Sequence, residues 1–69
     1  MNVKTSYHDM MHTIRTLAKN QDHFSYNDAM NVFNNLIWRV YANTDSIDSF
    51  DDCIMIFDRF IKTGKVEFI

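Results

Sequence analysis

Apolar residues recur at helical spacing in three blocks, and polar clusters rather than prolines or glycines separate them. Tyr7, Met10, Met11, Ile14, Leu17 and Ala18 fall on one narrow face if residues 6–19 are helical. Thr5 or Ser6 is placed to cap that helix, and Asn20-Gln21-Asp22 interrupts the pattern. A second helix is expected over residues 25–42, opened by Ser25-Tyr26-Asn27-Asp28. There the serine hydroxyl accepts from a free backbone N–H, and the aspartate sits in the positive first turn. Phe24, just before the cap, is positioned to fold back as a hydrophobic staple. Tyr26, Ala29, Met30, Val32, Phe33, Leu36, Ile37, Val40 and Tyr41 spread over roughly half the circumference at about 100° per residue. So wide an arc predicts that this is the central helix.

The third block follows the break Asn43-Thr44-Asp45-Ser46 and starts with Ser49-Phe50-Asp51-Asp52, a second serine-plus-acid signal. Phe50, Cys53, Ile54, Ile56, Phe57, Phe60 and Ile61 then predict a helix over residues 49–62, stopped by Gly64 with Lys62 suiting the negative end. Val66-Glu67-Phe68-Ile69 alternates like a strand but is too short to form a sheet alone, so it packs back on the bundle or pairs with another chain. Short connections favour antiparallel neighbours. The expectation is an all-α protein, a small three-helix bundle with a short extended C-terminal tail, residues 1–69 forming a single helical domain. A helical hairpin completed by a helix from a partner chain is the alternative.

Composition narrows the possibilities. A chain of 69 residues that is 46% hydrophobic is globular rather than disordered, yet so short that its core is thin. Cys53 is the one cysteine, so no internal disulfide compensates, and good helix packing or oligomerisation is left to do so. A net charge of −2 gives no general attraction to nucleic acid or to an anionic membrane. No apolar run reaches the roughly 20 residues of a transmembrane helix, and no signal-peptide core follows Met1. With one free thiol, a cytoplasmic location is the expectation.

Several clusters bear on chemistry. His8-Asp9-Met10-Met11-His12 echoes the H-E-x-x-H zinc signature, but Asp is one methylene shorter than the required Glu and no third ligand is implied. No metal site, cofactor or catalytic residue is therefore assigned. The same helix carries His8, His12, Arg15 and Lys19 within about a 60° sector, a basic stripe suited to an anion. A small phosphorylated ligand fits it better than nucleic acid, since the second helix lacks the cations that grip phosphates. Asp45, Asp48, Asp51 and Asp52 lack the glycine and terminal glutamate of a calcium loop and read as caps. Cys53, on the inner arc, reads as an inert buried thiol.

Two residues depart from the binary pattern. Trp38 falls outside the apolar arc, on the face of Asn27, Asn31, Asn34 and Asn35, and Met55 lies opposite its own helix's inner arc. An exposed Trp on a polar face is a common hot-spot arrangement, and Met adapts to varied partners. The rival account has Trp38 lying over its own neighbours or packed under the tail 66–69, with its N–H toward water. Trp38, Asn31, Asn34, Asn35 and Met55 are thus the candidate partner-binding residues. They suggest a small non-enzymatic interaction module, acting as a homo-oligomer or on a host protein. The abundance of Asn, Asp, Ile, Lys, Phe and Tyr, residues of AT-rich codons, suits a phage or mobile-element gene for an inhibitor or regulator. The alternative function is binding of a phosphorylated ligand or nucleic acid through the basic stripe.

Overall fold

The computed structural model describes residues 5–42 and 49–68, and Asp45 and Asp48 lie outside them. The described residues form three α-helices and no strand: α1 (Tyr7–Lys19), α2 (Tyr26–Ala42) and α3 (Phe50–Thr63). Each helix starts in the same way. Ser6, Ser25 and Ser49 each accept a hydrogen bond from the backbone N–H three residues on, that of Asp9, Asp28 and Asp52, at 3.1, 3.1 and 3.2 Å. In every case the third helical residue is an aspartate. Its carboxylate faces the positive end of the helix dipole while the serine satisfies one orphan donor. The thrice-used Ser-aromatic-x-Asp start accounts for three of the eight aspartates in a chain whose one other acidic residue is Glu67.

The ends differ because glycine is available at only one of them. Gly64 closes α3 in the left-handed region (φ 76°), its N–H donating to the Phe60 carbonyl at 2.7 Å. Gly tolerates that conformation without the steric cost a Cβ brings. At the end of α1 there is no glycine, and a side chain takes over. The Gln21 carboxamide donates from Nε2 to the carbonyls of Ala18 and Phe24, while its Oε1 accepts from the N–H groups of His23 (2.7 Å) and Phe24 (2.8 Å). One amide therefore bonds four backbone groups in and beside the α1–α2 turn.

Aromatic and polar contacts fix how the helices run. Thr5 donates to the Asp51 carboxylate, and Tyr7 meets Phe50 edge-on at 6.0 Å, so α1 and α3 begin side by side. Phe24, at the far end of α1, stacks on Phe60 at 4.8 Å near the end of α3. Helices α1 and α3 are thus parallel, with α2 antiparallel to both. The Phe24 ring, expected to fold back as a staple, stacks on Phe60 of α3, because the turn holds it over the α3 terminus.

Met10, Ile14 and Ala18 of α1, Ala29, Phe33 and Leu36 of α2, and Cys53, Ile56, Phe57, Phe60 and Ile61 of α3 make the core. The central helix is α3, not α2 as the width of its arc suggested. Five α3 residues are buried against three on each neighbour, and Phe57 sits between Phe33 (6.0 Å, edge-on) and Phe60 (6.1 Å). Among the described residues no polar side chain is buried, and no buried side-chain N or O lacks a partner. The core is apolar, held by packing alone.

Beyond Gly64 the chain turns back along α2. Thr63 steers it, its hydroxyl donating to the Arg59 carbonyl and accepting from the Lys65 N–H. Val66 and Phe68 then line a cleft of about 260 Å³ with Val32, Asn35, Leu36 and Arg39, and the Arg39 guanidinium lies 4.9 Å over the Phe68 ring. The tail touches α2 through Phe68 and Arg39, but Val66 and Phe68 themselves stay exposed, and no strand forms among the described residues.

Candidate interaction surface

With the tail on one flank of α2, the outer face and the opposite flank stay open. Trp38 is 71% exposed and Tyr41 65%, and the half-buried Ile37 joins them in an open, apolar cleft of about 380 Å³. The tail's ring is on Arg39, so the tail does not cover Trp38 and that part of the rival account is set aside. Asn27, Asn31, Asn34 and Asn35 are exposed too. Asn31, Asn34 and Trp38 follow each other at steps of three and four residues and form one strip along the helix. Asn35 stands at its edge, where it also borders the tail cleft.

The strip is unusual in its charge. From Ala29 to Trp38 the helix carries no ionisable residue, and Asp28 and Arg39 bound the gap. The outer faces of α1 and α3, by contrast, carry exposed His8, Asp9, His12, Arg15 and Lys19, and Asp51, Arg59 and Lys62. Charge depletion together with exposed aromatics is the composition of an interface core rather than of a solvated helix face.

Met55 is exposed as well, at 42%, on the side of α3 opposite its buried residues. Trp38 stands in the same relation to α2. Two side chains each pointing away from a shared core diverge, so one flat partner surface does not take both. Sequence reasoning missed Tyr41 and Ile37 as surface residues, since both match the apolar arc. The available signal was the arc's excess width, more than two neighbouring helices cover.

The basic stripe is present as a surface: His8, His12, Arg15 and Lys19 are all exposed along α1. Eleven residues at about 1.5 Å each spread them over roughly 16 Å of helix. They point outward together rather than converging on a point, which suits an extended anionic surface more than a compact ligand. A cleft of about 250 Å³ lined by His23, Phe24, Ile61, Lys62, Thr63 and Gly64 lies at the negative end of the α3 dipole, a poor place for an anion. Lys62 there is paired with Asp58 at 2.9 Å.

The remaining chemistry is quiet. Among the described residues no three His, Cys, Asp or Glu side chains come together as a metal site, and none of the helices is long and apolar enough to cross a membrane. Cys53 is fully buried, and burial pushes its thiol up from the ordinary 9.0 to about 11, with the Asp52 carboxylate adding to the effect. At neutral pH it is protonated and shielded, the opposite of a nucleophile's setting. The unfolded thiol ionises near 9.0 and the folded one near 11, so folding holds on to the proton. Stability from this group is complete below about pH 9 and declines as pH rises from there to about 11, by at most roughly 2 to 3 kcal/mol. A thiol reagent at pH 8 is expected to label Cys53 only at the rate of unfolding. Labelling as fast as in denaturant would contradict the burial.

Fold and surface together define a class: a small all-α three-helix bundle with no catalytic motif, of a kind that serves as a protein-interaction module. Compared with known proteins, the chain matches no family model, no curated protein and no solved structure.

Proposed function

We propose that this protein is a non-enzymatic interaction module that works by docking the outer face of α2 on another protein. The exposure of Trp38 beside Tyr41 and Ile37, on a helix face free of charge, carries the reading. A tryptophan left in water forgoes a large apolar burial, and at an interface such a residue contributes out of proportion to its number. Asn31, Asn34 and Asn35 supply adaptable hydrogen bonding around it, and Met55 serves a separate, secondary contact. The setting we infer is a phage or mobile-element gene and the cytoplasm of its host, where a small regulator or inhibitor binds a host protein or itself. Support for that setting is compositional: residues of AT-rich codons and a single reduced thiol.

A second reading is favoured by one observation, the shared exposure of His8, His12, Arg15 and Lys19 on α1. It has the protein bind a phosphorylated ligand or a nucleic acid there. It ranks below the first because the four groups do not converge and the net charge is −2.

Affinity capture separates the two. Tagged protein is incubated with nuclease-treated lysate of the source cells, beside Trp38→Ala and Arg15→Glu. The α2 reading expects a stoichiometric protein kept by Arg15→Glu and lost by Trp38→Ala, with a loss of affinity of roughly thirty-fold or more, as for a hot-spot residue. Loss in Arg15→Glu with retention in Trp38→Ala would transfer the function to α1.

A further inference from the structure

We propose that His8 and His12 form a two-point clip for a divalent transition-metal ion, copper(II) above all, on the outer face of α1. The proposal is independent of the α2 face. It gives the two histidines a cation where the second reading gave them an anion. Four residues along one helix bring two side chains over each other on the same face, with Cβ atoms about 5–6 Å apart. Zinc-binding helices that carry two histidines use the same step. The two ring nitrogens then converge on one ion, at about 2.0–2.1 Å each in the case of zinc.

Both rings are available. His8 and His12 are exposed, and neither imidazole is hydrogen-bonded or ion-paired to another described residue. The backbone beneath them is already fixed. Ser6 caps the helix, and buried Met10 and Ile14 anchor its opposite face. Binding an ion therefore orders two side chains and no backbone.

The donor set decides which ion fits. Among the described residues no third His, Cys, Asp or Glu side chain joins the pair, so water takes the remaining positions on the ion. Two neutral imidazoles suit copper, nickel and zinc, whereas calcium and magnesium call for oxygen ligands. For one set of nitrogen donors copper(II) binds more tightly than nickel or zinc. With two protein ligands the clip is weaker than zinc sites built from three or four. Nearby charges largely offset one another. Asp9 stands three residues before His12 and Arg15 three after it, each one turn away along the helix. The positive end of α1 opposes a cation at His8, but solvent screens that effect at an exposed position. Coordination to nitrogen, rather than the local field, drives binding.

Calorimetric titration of the intact, untagged chain with copper(II) chloride in a non-coordinating buffer tests this. The expected result is saturable binding of a single ion per chain, with nitrogen hyperfine structure from two imidazoles in the electron paramagnetic resonance spectrum. Copper is also expected to raise the thermal midpoint, since the folded helix presents the clip and the unfolded chain does not. His8→Ala and His12→Ala are each expected to weaken binding by at least roughly ten-fold, while His23→Ala keeps it. Both positions are exposed and alanine favours a helix, so the circular dichroism spectrum should not change. Thr16→His placed in the His8→Ala chain rebuilds the four-residue step with His12, and is expected to restore most of the affinity. Failure of that rescue would show that the spacing does not hold the ion, and would overturn the clip. Copper binding that survives loss of both histidines belongs elsewhere on the chain and overturns it too. If copper does not bind and inorganic phosphate does, with His8→Ala weakening it, the two residues return to the anion reading and the clip falls.

Discussion

Phe57→Ala is expected to remove about a third or more of the protein's stability. Phe57 is fully buried on the central helix, its ring meeting Phe33 of α2 edge-on and Phe60 of its own helix at a tilt. Truncating a buried phenylalanine costs about 3–5 kcal/mol, the sum of lost transfer energy and the cavity left behind. A chain of this length has a total stability of roughly 3–10 kcal/mol. With no disulfide and no polar network in the core, nothing else absorbs the loss. The measurement is a urea titration followed by circular dichroism at 222 nm, beside Phe57→Leu, which keeps most of the volume and most of the stability. A Phe57→Ala midpoint within about 1 kcal/mol of the parent would mean that the three helices do not share this core.

The second large effect is expected at a residue with no apolar role. Gln21→Ala removes the side chain that holds the α1–α2 turn and strips the partners from the N–H groups of His23 and Phe24 and from two carbonyls. Part of this turn is shielded from water, and each group left unpaired there costs about 1–3 kcal/mol unless water reaches it. A net loss of about 2 kcal/mol is expected. Hydrogen exchange localises the effect: the His23 and Phe24 amides should lose protection more than those of the helix centres. Gln21→Glu is expected to fall between, since a carboxylate still accepts from both N–H groups but donates to neither carbonyl and adds charge at the negative end of α1. Unchanged protection at His23 and Phe24 in Gln21→Ala would show that the turn is held by the chain ends alone.

These two residues also mark how far the pattern of residues reached. Phe57 is legible as core because its arc repeats at helical spacing beside Ile56, Phe60 and Ile61. Gln21 reads only as a break in the pattern. A carboxamide that bonds four backbone groups leaves no trace in periodicity, because its partners are main-chain atoms common to every residue. The surface divides in the same way. Trp38 betrays itself by interrupting a polar face, whereas Tyr41 matches the apolar arc and is nonetheless exposed.

What the sequence determined by itself is local: three helices, their serine caps, the glycine stop and most of the inward set of each helix, Tyr7, Tyr26 and Tyr41 being the exposed exceptions. Hydrogen bonds within a few residues and a 3.6-residue period decide these, so a reading along the chain suffices. What the tertiary structure alone decided is which faces meet. The arc of α2 is the widest in the sequence, yet α3 is the helix in the middle, because Phe24 and Tyr7 reach across to Phe60 and Phe50 and clamp α1 along it. The tail likewise had two places to go. Phe68 lies against Arg39 on one flank, and on the other Trp38 and Tyr41 stay exposed beside the half-buried Ile37. Packing between distant segments depends on shape and reach in three dimensions, and neither is written in the order of apolar and polar positions.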